Sequence, residues 1–311
     1  MSTEGGTKAV VAALGANLGI AVSKFVAFAF TGSSSMLSEG IHSVADSCNQ
    51  VLLLIGGKHS KREATDIHQF GYGRLRYVYS FVVSIVLFVV GGLYSLYEGF
   101  HKIQHPEELK DAWIALLVLG IAIVLESLSF RTAIREANHV KGSRSIFQFI
   151  RAARQPELPV ILLEDAGALI GLVFALLGVS LAVLTGDGRW DGLGAMAVGA
   201  LLVVIAVFLT REMASMLVGE SALPEEEAAI HAALVTIPEV NRVLQLRTLH
   251  VGPDEILVAV KVAVDHDDTG TEIARGIDAA ERAIRQAVPS ARYMYIEPDL
   301  DRLLHGENPE R

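Results

Sequence analysis

Three ionisable residues, Glu39, His42 and Asp46, follow one another at spacings of three and four inside an apolar stretch of the sequence. On an α-helix these spacings place all three on one face, and Asn49 continues the stripe one turn later. Ionisable groups are costly inside a membrane, so they suggest function. His42 and Asp46 can together bind one divalent ion, relay protons or brace a helix bundle by hydrogen bonds.

Other ionisable residues lie in apolar stretches before and after the one that contains His42. Glu164 and Asp165 are adjacent in one of them, Glu126 lies in a second, and Lys24 lies in the first. A divalent ion in a dry site needs anionic or imidazole ligands to replace its water, and Glu164 and Asp165 on a facing helix would supply them. A histidine among carboxylates favours zinc or another first-row metal over magnesium or calcium. We expect Glu126 to handle protons or hydrogen bonds, and Lys24 to snorkel or to neutralise a carboxylate.

The elements that carry these residues are predicted to be membrane helices. The mean hydropathy is +0.43, with 51% hydrophobic and only 20% charged residues. A spanning helix needs about 20 apolar residues, and the backbone finds no water inside lipid. Six stretches qualify: residues 10–30, 34–55, 77–100, 112–134, 159–184 and 191–209.

Lysine and arginine concentrate in the connections after the second and fourth stretches, which predicts that both termini lie in the cytoplasm. The short polar N-terminus has no small-residue cleavage site, so we expect no cleaved signal peptide. We expect a multi-pass protein of the inner cell membrane of a bacterium. A single cysteine, Cys48, excludes an internal disulfide framework, and the net charge of −9 argues against a nucleic-acid partner.

The polar tail, residues 216–311, is predicted to form a separate domain after a membrane domain of residues 1–215. A helix should begin at Pro224, and two β-branched stretches should pair through a turn at residues 252–255. An amphipathic helix over residues 273–288 and a strand over 292–297 should follow. The order α-β-β-α-β predicts a small ferredoxin-like α+β domain, with its helices on one face of a three-stranded sheet.

The stretch from Gly32 to Asp46, GSSSMLSEGIHSVAD, resembles the second-helix signature of the cation diffusion facilitators, a family of zinc, manganese and related metal exporters. The loop from Asp66 to Arg74 and the Trp190-Asp191-Gly192 segment are also similar to that family, so the resemblance covers nearly the whole chain. Within the family, several segments look closest to the subgroup of mitochondrial zinc transporter nine: Asn49-Gln50, residues 71–74, 76–78 and 163–165.

The resemblance implies a homodimer that exchanges a metal ion for protons by alternating access. It also implies two metal ligands on helix two, matched by His42 and Asp46, and two on helix five, the second matched by Asp165. The first helix-five position is Ile161, which cannot bind a metal, and Glu164 is the expected substitute. Such a site has more oxygen ligands than the usual zinc site and leaves manganese, iron or cobalt open.

A secondary metal site in the loop before helix three is also implied, at Asp66 and His68. The family often has a histidine where Tyr72 stands, so this second site is less complete than the first.

The predicted function is export of a divalent transition metal, zinc first, from the cytoplasm in exchange for protons. The metal is cargo, and no cofactor is expected. A manganese, iron or cobalt exporter of the same mechanism is the nearest alternative, and a non-transporting receptor or scaffold is the rival from another class. An intramembrane hydrolase would need a base beside an open metal position, and no hydrolase motif accompanies Glu39 or Glu126, so we expect no enzyme.

Overall fold

The computed structural model describes residues 3–107 and 109–301, with side-chain surroundings from Asn17 onward. The helices are α1 Thr3–Thr31, α2 Ser34–His59, α3 Leu75–Gln104, α4 Ala112–Val140, α5 Ile146–Ala152, α6 Glu157–Thr185, α7 Arg189–Val218, α8 Pro224–Leu234 and α9 Gly270–Ala287. The strands are β1 Arg242–Gly252, β2 Glu255–Val264 and β3 Ala291–Leu300. The chain divides into a first unit, Met1–His59 with Leu75–Ala214, and a second unit, Ser60–Arg74 with Ser215–Arg311.

Four helices of the described chain, α3, α4, α6 and α7, are long and apolar enough to cross a membrane. The polar stripe of α2 makes that helix less apolar than the other four. In α1, the part whose side-chain surroundings are described, Asn17–Thr31, is apolar. The expected bundle of six spans is therefore confirmed for four helices, while the first two spans stay a prediction.

The short helix α5 was not predicted from the sequence. Its N-terminus has a capping box, in which the Ser145 hydroxyl accepts a hydrogen bond from the Gln148 amide and the Gln148 side chain accepts one from the Ser145 amide. The S-x-x-Q pattern was the available signal. Phe149 of α5 then packs with Ala133, Ala137 and Leu162, which joins this helix to α4 and α6.

Helices α3 and α7 approach each other through glycines. A Cβ atom added to Gly99 would lie 2.5 Å from the Gly192 carbonyl oxygen, and one added to Gly199 would lie 2.6 Å from the Leu96 amide nitrogen. Small residues at such positions let helix backbones come close in lipid. The middle of α3, Leu87–Leu93, is a π-helical segment, and this type of turn often marks functional sites.

The second unit contains the predicted α-β-β-α-β order. The sheet has the order β1-β2-β3. Strand β1 is antiparallel to β2, and β2 is parallel to β3. The hairpin turn lies at Pro253 and Asp254, between the end of β1 and the start of β2, as expected. Alternate residues of β2, such as Ile256 and Val258, share a core with Ile230 of α8 and Ile284 of α9, so both helices cover one face of the sheet.

The connection Ser60–Arg74 belongs to the second unit, although the predicted second domain begins only at residue 216. Its backbone passes very close to the β1–β2 turn, since a Cβ atom at Gly73 would lie 2.8 Å from the Gly252 Cα. The Phe70 ring also stands edge-on to the Tyr293 ring, with centroids 5.1 Å apart. Two glycines thus allow this connection to dock on the sheet.

Candidate metal site

The stripe on α2 places a histidine and a carboxylate side by side. His42 is buried, and its Nε2 lies 3.5 Å from Asp46 Oδ2, one helical turn away. Within the described part of the chain, neither His42 ring nitrogen has a hydrogen-bond partner, and neither does Asp46 Oδ1. Buried polar atoms are normally paired, so one His42 ring nitrogen and the free Asp46 oxygen are available to an ion.

Glu164 reaches the same stripe from α6, which is the fifth predicted span. Asn49 Nδ2 donates a 2.6 Å hydrogen bond to Glu164 Oε1, and the Glu164 side chain is buried. Asn49 lies one turn beyond Asp46 on α2, so this bond holds the Glu164 carboxylate against the face of that helix that carries His42 and Asp46.

The Asp165 side chain is directed toward α4 and not toward α2, since its carboxylate accepts a 3.0 Å hydrogen bond from the Ser129 hydroxyl of α4. Glu126, also on α4, lies with Asp165 and Glu164 within electrostatic reach of Asp46. Among residues 3–107 and 109–301, however, no three His, Cys, Asp or Glu side chains converge on a single point. This conformation therefore contains the His42–Asp46 pair with three carboxylates nearby, and these described side chains do not form a four-ligand shell.

Ile161, at the position where the family resemblance implies a histidine, lies in an apolar cluster. Its side chain packs with the cluster formed by Phe149 of α5, Ala133 and Ala137 of α4, and Leu162. An imidazole there would face hydrocarbon groups from α4 and α5. On α6, Glu164 and Asp165 are the metal-binding side-chain types near the α2 stripe.

Lys24 neutralises a carboxylate and does not snorkel. Its Nζ lies 3.0 Å from Glu39 Oε2 and donates a 2.8 Å hydrogen bond to the Ser43 hydroxyl. Both members of the ion pair are fully buried between α1 and α2, one turn from His42.

The residues of the suggested secondary site are both on the surface of the connection between α2 and α3. Asp66 and His68 are exposed, and the His68 ring lies against Tyr72, with ring centroids 4.6 Å apart. No cluster of three metal-binding side chains forms in the described part of this connection. The structure thus brings together no secondary site here.

The role of Asp191, at the start of α7, was not predicted from the sequence. Its carboxylate is buried and accepts hydrogen bonds from the Ser33 hydroxyl and from the Ser34 and Ser35 amides, at 2.7–3.2 Å. It therefore caps the N-terminus of α2 from another helix. The serine run was visible, but only the fold brings residue 191 to it.

The sequence matches two profiles of one family: the cation efflux transmembrane domain over residues 10–218 and the cation efflux protein cytoplasmic domain over residues 222–299. Relatives include the mitochondrial proton-coupled zinc antiporter SLC30A9 of Xenopus laevis, 31% identical, and that of Homo sapiens, 32% identical; each match covers 92% of this chain. The manganese efflux system protein MneP of Bacillus subtilis is 25% identical, over 87% of this chain and 89% of that protein. The chain spans about half the length of the two antiporters, 51% and 50%.

These relatives correct one expectation and support others. The antiporters are mitochondrial, so the predicted location in a bacterial inner membrane is wrong. Lysine and arginine report which way helices face, and they do not report which membrane holds them. The resemblance to the zinc transporter nine subgroup is confirmed by these matches, and the family consists of transporters and not enzymes, as expected.

The transmembrane profile alone covers more than half of the sequence, and the cytoplasmic profile accounts for most of the rest. The chain therefore belongs to the cation efflux family, the cation diffusion facilitators.

Proposed function

We propose that this chain moves a divalent transition metal, most readily zinc, across a membrane in exchange for protons. The ion binds His42 and Asp46 on α2 together with Glu164 and Asp165 on α6. Transport runs away from the side that holds the positively charged connections after α2 and α4.

The observation that carries the proposal is the arrangement of unpaired donor atoms on α2. His42 and Asp46 lie one turn apart on α2, and three of their polar atoms lack a hydrogen-bond partner within the described residues. Glu164 is held toward the same face by Asn49. A bundle-bracing role would use these atoms in hydrogen bonds, so their availability favours an ion.

Zinc is favoured by the imidazole, because borderline metals prefer nitrogen donors more than magnesium or calcium do. Two relatives that are 31% and 32% identical over 92% of the chain are zinc antiporters. Manganese, iron or cobalt transport is the second candidate, because carboxylates outnumber histidine and one relative is a manganese efflux protein.

Exchange for protons follows from the ligand chemistry. An ion binds only to a neutral imidazole and ionised carboxylates, so loading the site releases protons. When the bundle exposes the site to the opposite side, protons compete with the ion for His42 and its neighbouring carboxylates. Asp165, which faces Ser129 in this conformation, would join the ligands as α6 moves relative to α4.

A homodimer is part of the proposal, with the second units paired. The support is the match of residues 222–299 to the family's cytoplasmic domain, ZT_dimer.

The test is metal flux in reconstituted vesicles. Purified chain in lipid vesicles with an imposed pH gradient should move Zn²⁺ as read by a trapped dye, and dissipating the gradient should stop it. His42→Ala should reduce flux to the background of empty vesicles, while Asp278→Ala, at an exposed carboxylate of α9, should not change it.

Equal flux in His42→Ala and the unaltered chain would reject the site. Absence of flux for Zn²⁺, Mn²⁺, Fe²⁺ and Co²⁺ in the unaltered chain would favour the receptor or scaffold reading instead.

A further inference from the structure

We propose that Lys24 is a selectivity residue, which keeps Glu39 out of the metal site and so favours zinc over harder divalent ions such as Mn²⁺. The inference rests on the proposed function, because it names what sets the ion class of the same site. Lys24 acts as a cation fixed to the protein, bound to a carboxylate that would otherwise be available to the cargo.

The Lys24 ammonium donates hydrogen bonds to two side chains of α2. Its Nζ lies 3.0 Å from Glu39 Oε2 and 2.8 Å from the Ser43 hydroxyl, and both charged side chains are 0% exposed. Ser43 directly follows His42 in the sequence. The positive charge is therefore fixed at the level of the metal-binding histidine.

Glu39 has the position and a free atom to serve as a ligand. It precedes His42 by three residues on the same face of α2, and its Oε1 has no hydrogen-bond partner within the described residues. That oxygen faces Gly171 of α6, where an added Cβ atom would lie 3.0 Å from it. The carboxylate thus occupies the space between α2 and α6, the two helices that supply the metal ligands.

A carboxylate buried in this way needs a compensating positive charge. Lys24, a proton or a metal ion can provide it, and Lys24 does so here. Without the ammonium, Glu39 adds a further oxygen donor and a negative charge to a set that already contains Asp46 and Glu164. Oxygen-rich sites favour hard ions such as Mn²⁺, whereas imidazole and fewer carboxylates suit Zn²⁺.

The charge of Lys24 also reaches beyond its own pair. Lys24 lies within electrostatic reach of His42, Asp46 and Glu126. Removal of the Lys24 charge would therefore make the electrostatic potential at the ligands more negative. It would also leave the Glu39 carboxylate without its counter-ion, so both changes make the metal site more negative.

The experiment compares Zn²⁺ and Mn²⁺ for Lys24→Met, which retains length without charge. Two measurements are made on full-length protein: equilibrium competition of the two ions in detergent, and initial flux of each in vesicles. We expect the ratio of Mn²⁺ to Zn²⁺ affinity to rise about tenfold, because one compensating charge is lost beside the ligands. The double variant Lys24→Met with Glu39→Gln should return the ratio toward that of the unaltered chain.

A ratio within about twofold of the unaltered chain, in folded Lys24→Met protein, would overturn the inference, since that is below the expected effect of one charge. If Lys24→Met does not fold, Glu39→Gln decides: the inference predicts weaker binding of both ions without a gain for Mn²⁺, and a gain would overturn it. Failure of the proposed function is separate, because it appears as absence of flux in the unaltered chain, while the binding ratio remains measurable.

Discussion

Helix α2 contains two buried polar regions that differ in how their polar atoms are used. In the first turn, Asp191 accepts bonds from Ser33, Ser34 and Ser35, and the Ser35 hydroxyl donates to the Asp191 carbonyl. Two turns further on, His42 and Asp46 leave three polar atoms without a hydrogen-bond partner among the described residues. Both regions are nearly or fully buried.

Under the proposed function, the difference separates a polar cluster that supports the fold from one that binds an ion. A buried polar group that only supports the fold is paired, because an unpaired one is destabilising. A site for a passing ion must instead leave its donor atoms available. Changes in the first turn should therefore affect stability, and changes in the stripe should affect transport.

The largest effect is expected from Asp46→Asn, which removes the negative charge without changing the shape of the side chain. Zn²⁺ flux should fall by about 100-fold or more, since this change removes a metal ligand. The thermal midpoint in detergent should not fall, because among the described residues Asp46 Oδ1 has no hydrogen-bond partner and Oδ2 makes only a long 3.5 Å approach to His42 Nε2. A clear loss of stability with retained flux would reverse the assignment of the two regions.

Asp191→Ala is expected to have the next largest effect, on stability. It leaves the Ser33 hydroxyl and the Ser34 and Ser35 amides without their acceptor, which costs about 2 kcal/mol of unfolding free energy or more. Thermal unfolding in detergent measures this loss, and Zn²⁺ affinity measured on the folded protein should remain the same. Loss of affinity at full stability would show that the first turn belongs to the metal site.

Asn49→Ala should have a smaller effect, because Asn49 positions a ligand and does not itself bind the ion. Without its 2.6 Å bond, Glu164 is no longer held toward α2, and Zn²⁺ affinity should fall about tenfold, as for other residues that orient metal ligands. Isothermal titration measures the affinity, and Cys48→Ala, on an exposed part of the same helix, is the control. An equal loss in both variants would mean that α2 is disturbed as a whole.

Ser34→Ala should have the smallest effect. It removes only the partly buried 3.0 Å bond from the Ser34 hydroxyl to Glu98, while the amide bond to Asp191 remains. We expect a loss of about 0.5–1 kcal/mol in stability and unchanged flux. A loss as large as that of Asp191→Ala would indicate that Glu98, and not Asp191, carries most of the stability of this turn.

Local patterns in the sequence predicted the stripe, the element order of the tail and most helix starts to within three residues, whereas α2, α3, α4 and α7 continue four to nine residues past their predicted ends. The spacing of Glu39, His42 and Asp46 requires only helical periodicity, and the tail alternates apolar and polar residues as strands and amphipathic helices do. Hydropathy alone identifies α2 less clearly than the other spans, because the polar residues of its stripe lower its hydropathy.

Contacts between distant segments could not be read from the sequence. The Asp191 cap joins residues more than 150 positions apart, and Asn49 meets Glu164 across 115 positions. The different orientations of Glu164 and Asp165 follow from the rotation of α6 about its axis, which is set by packing against α2 and α4. The membrane that holds the chain depends on cellular sorting, which the charges of its connections do not encode.

The glycine contacts between α3 and α7 have a mechanical consequence. Backbone atoms of the two helices come into near contact at Gly99 and Gly192, and again at Gly199. Such close contact leaves little room for the backbones to slide past each other, so α3 and α7 should move as one stiff body during turnover.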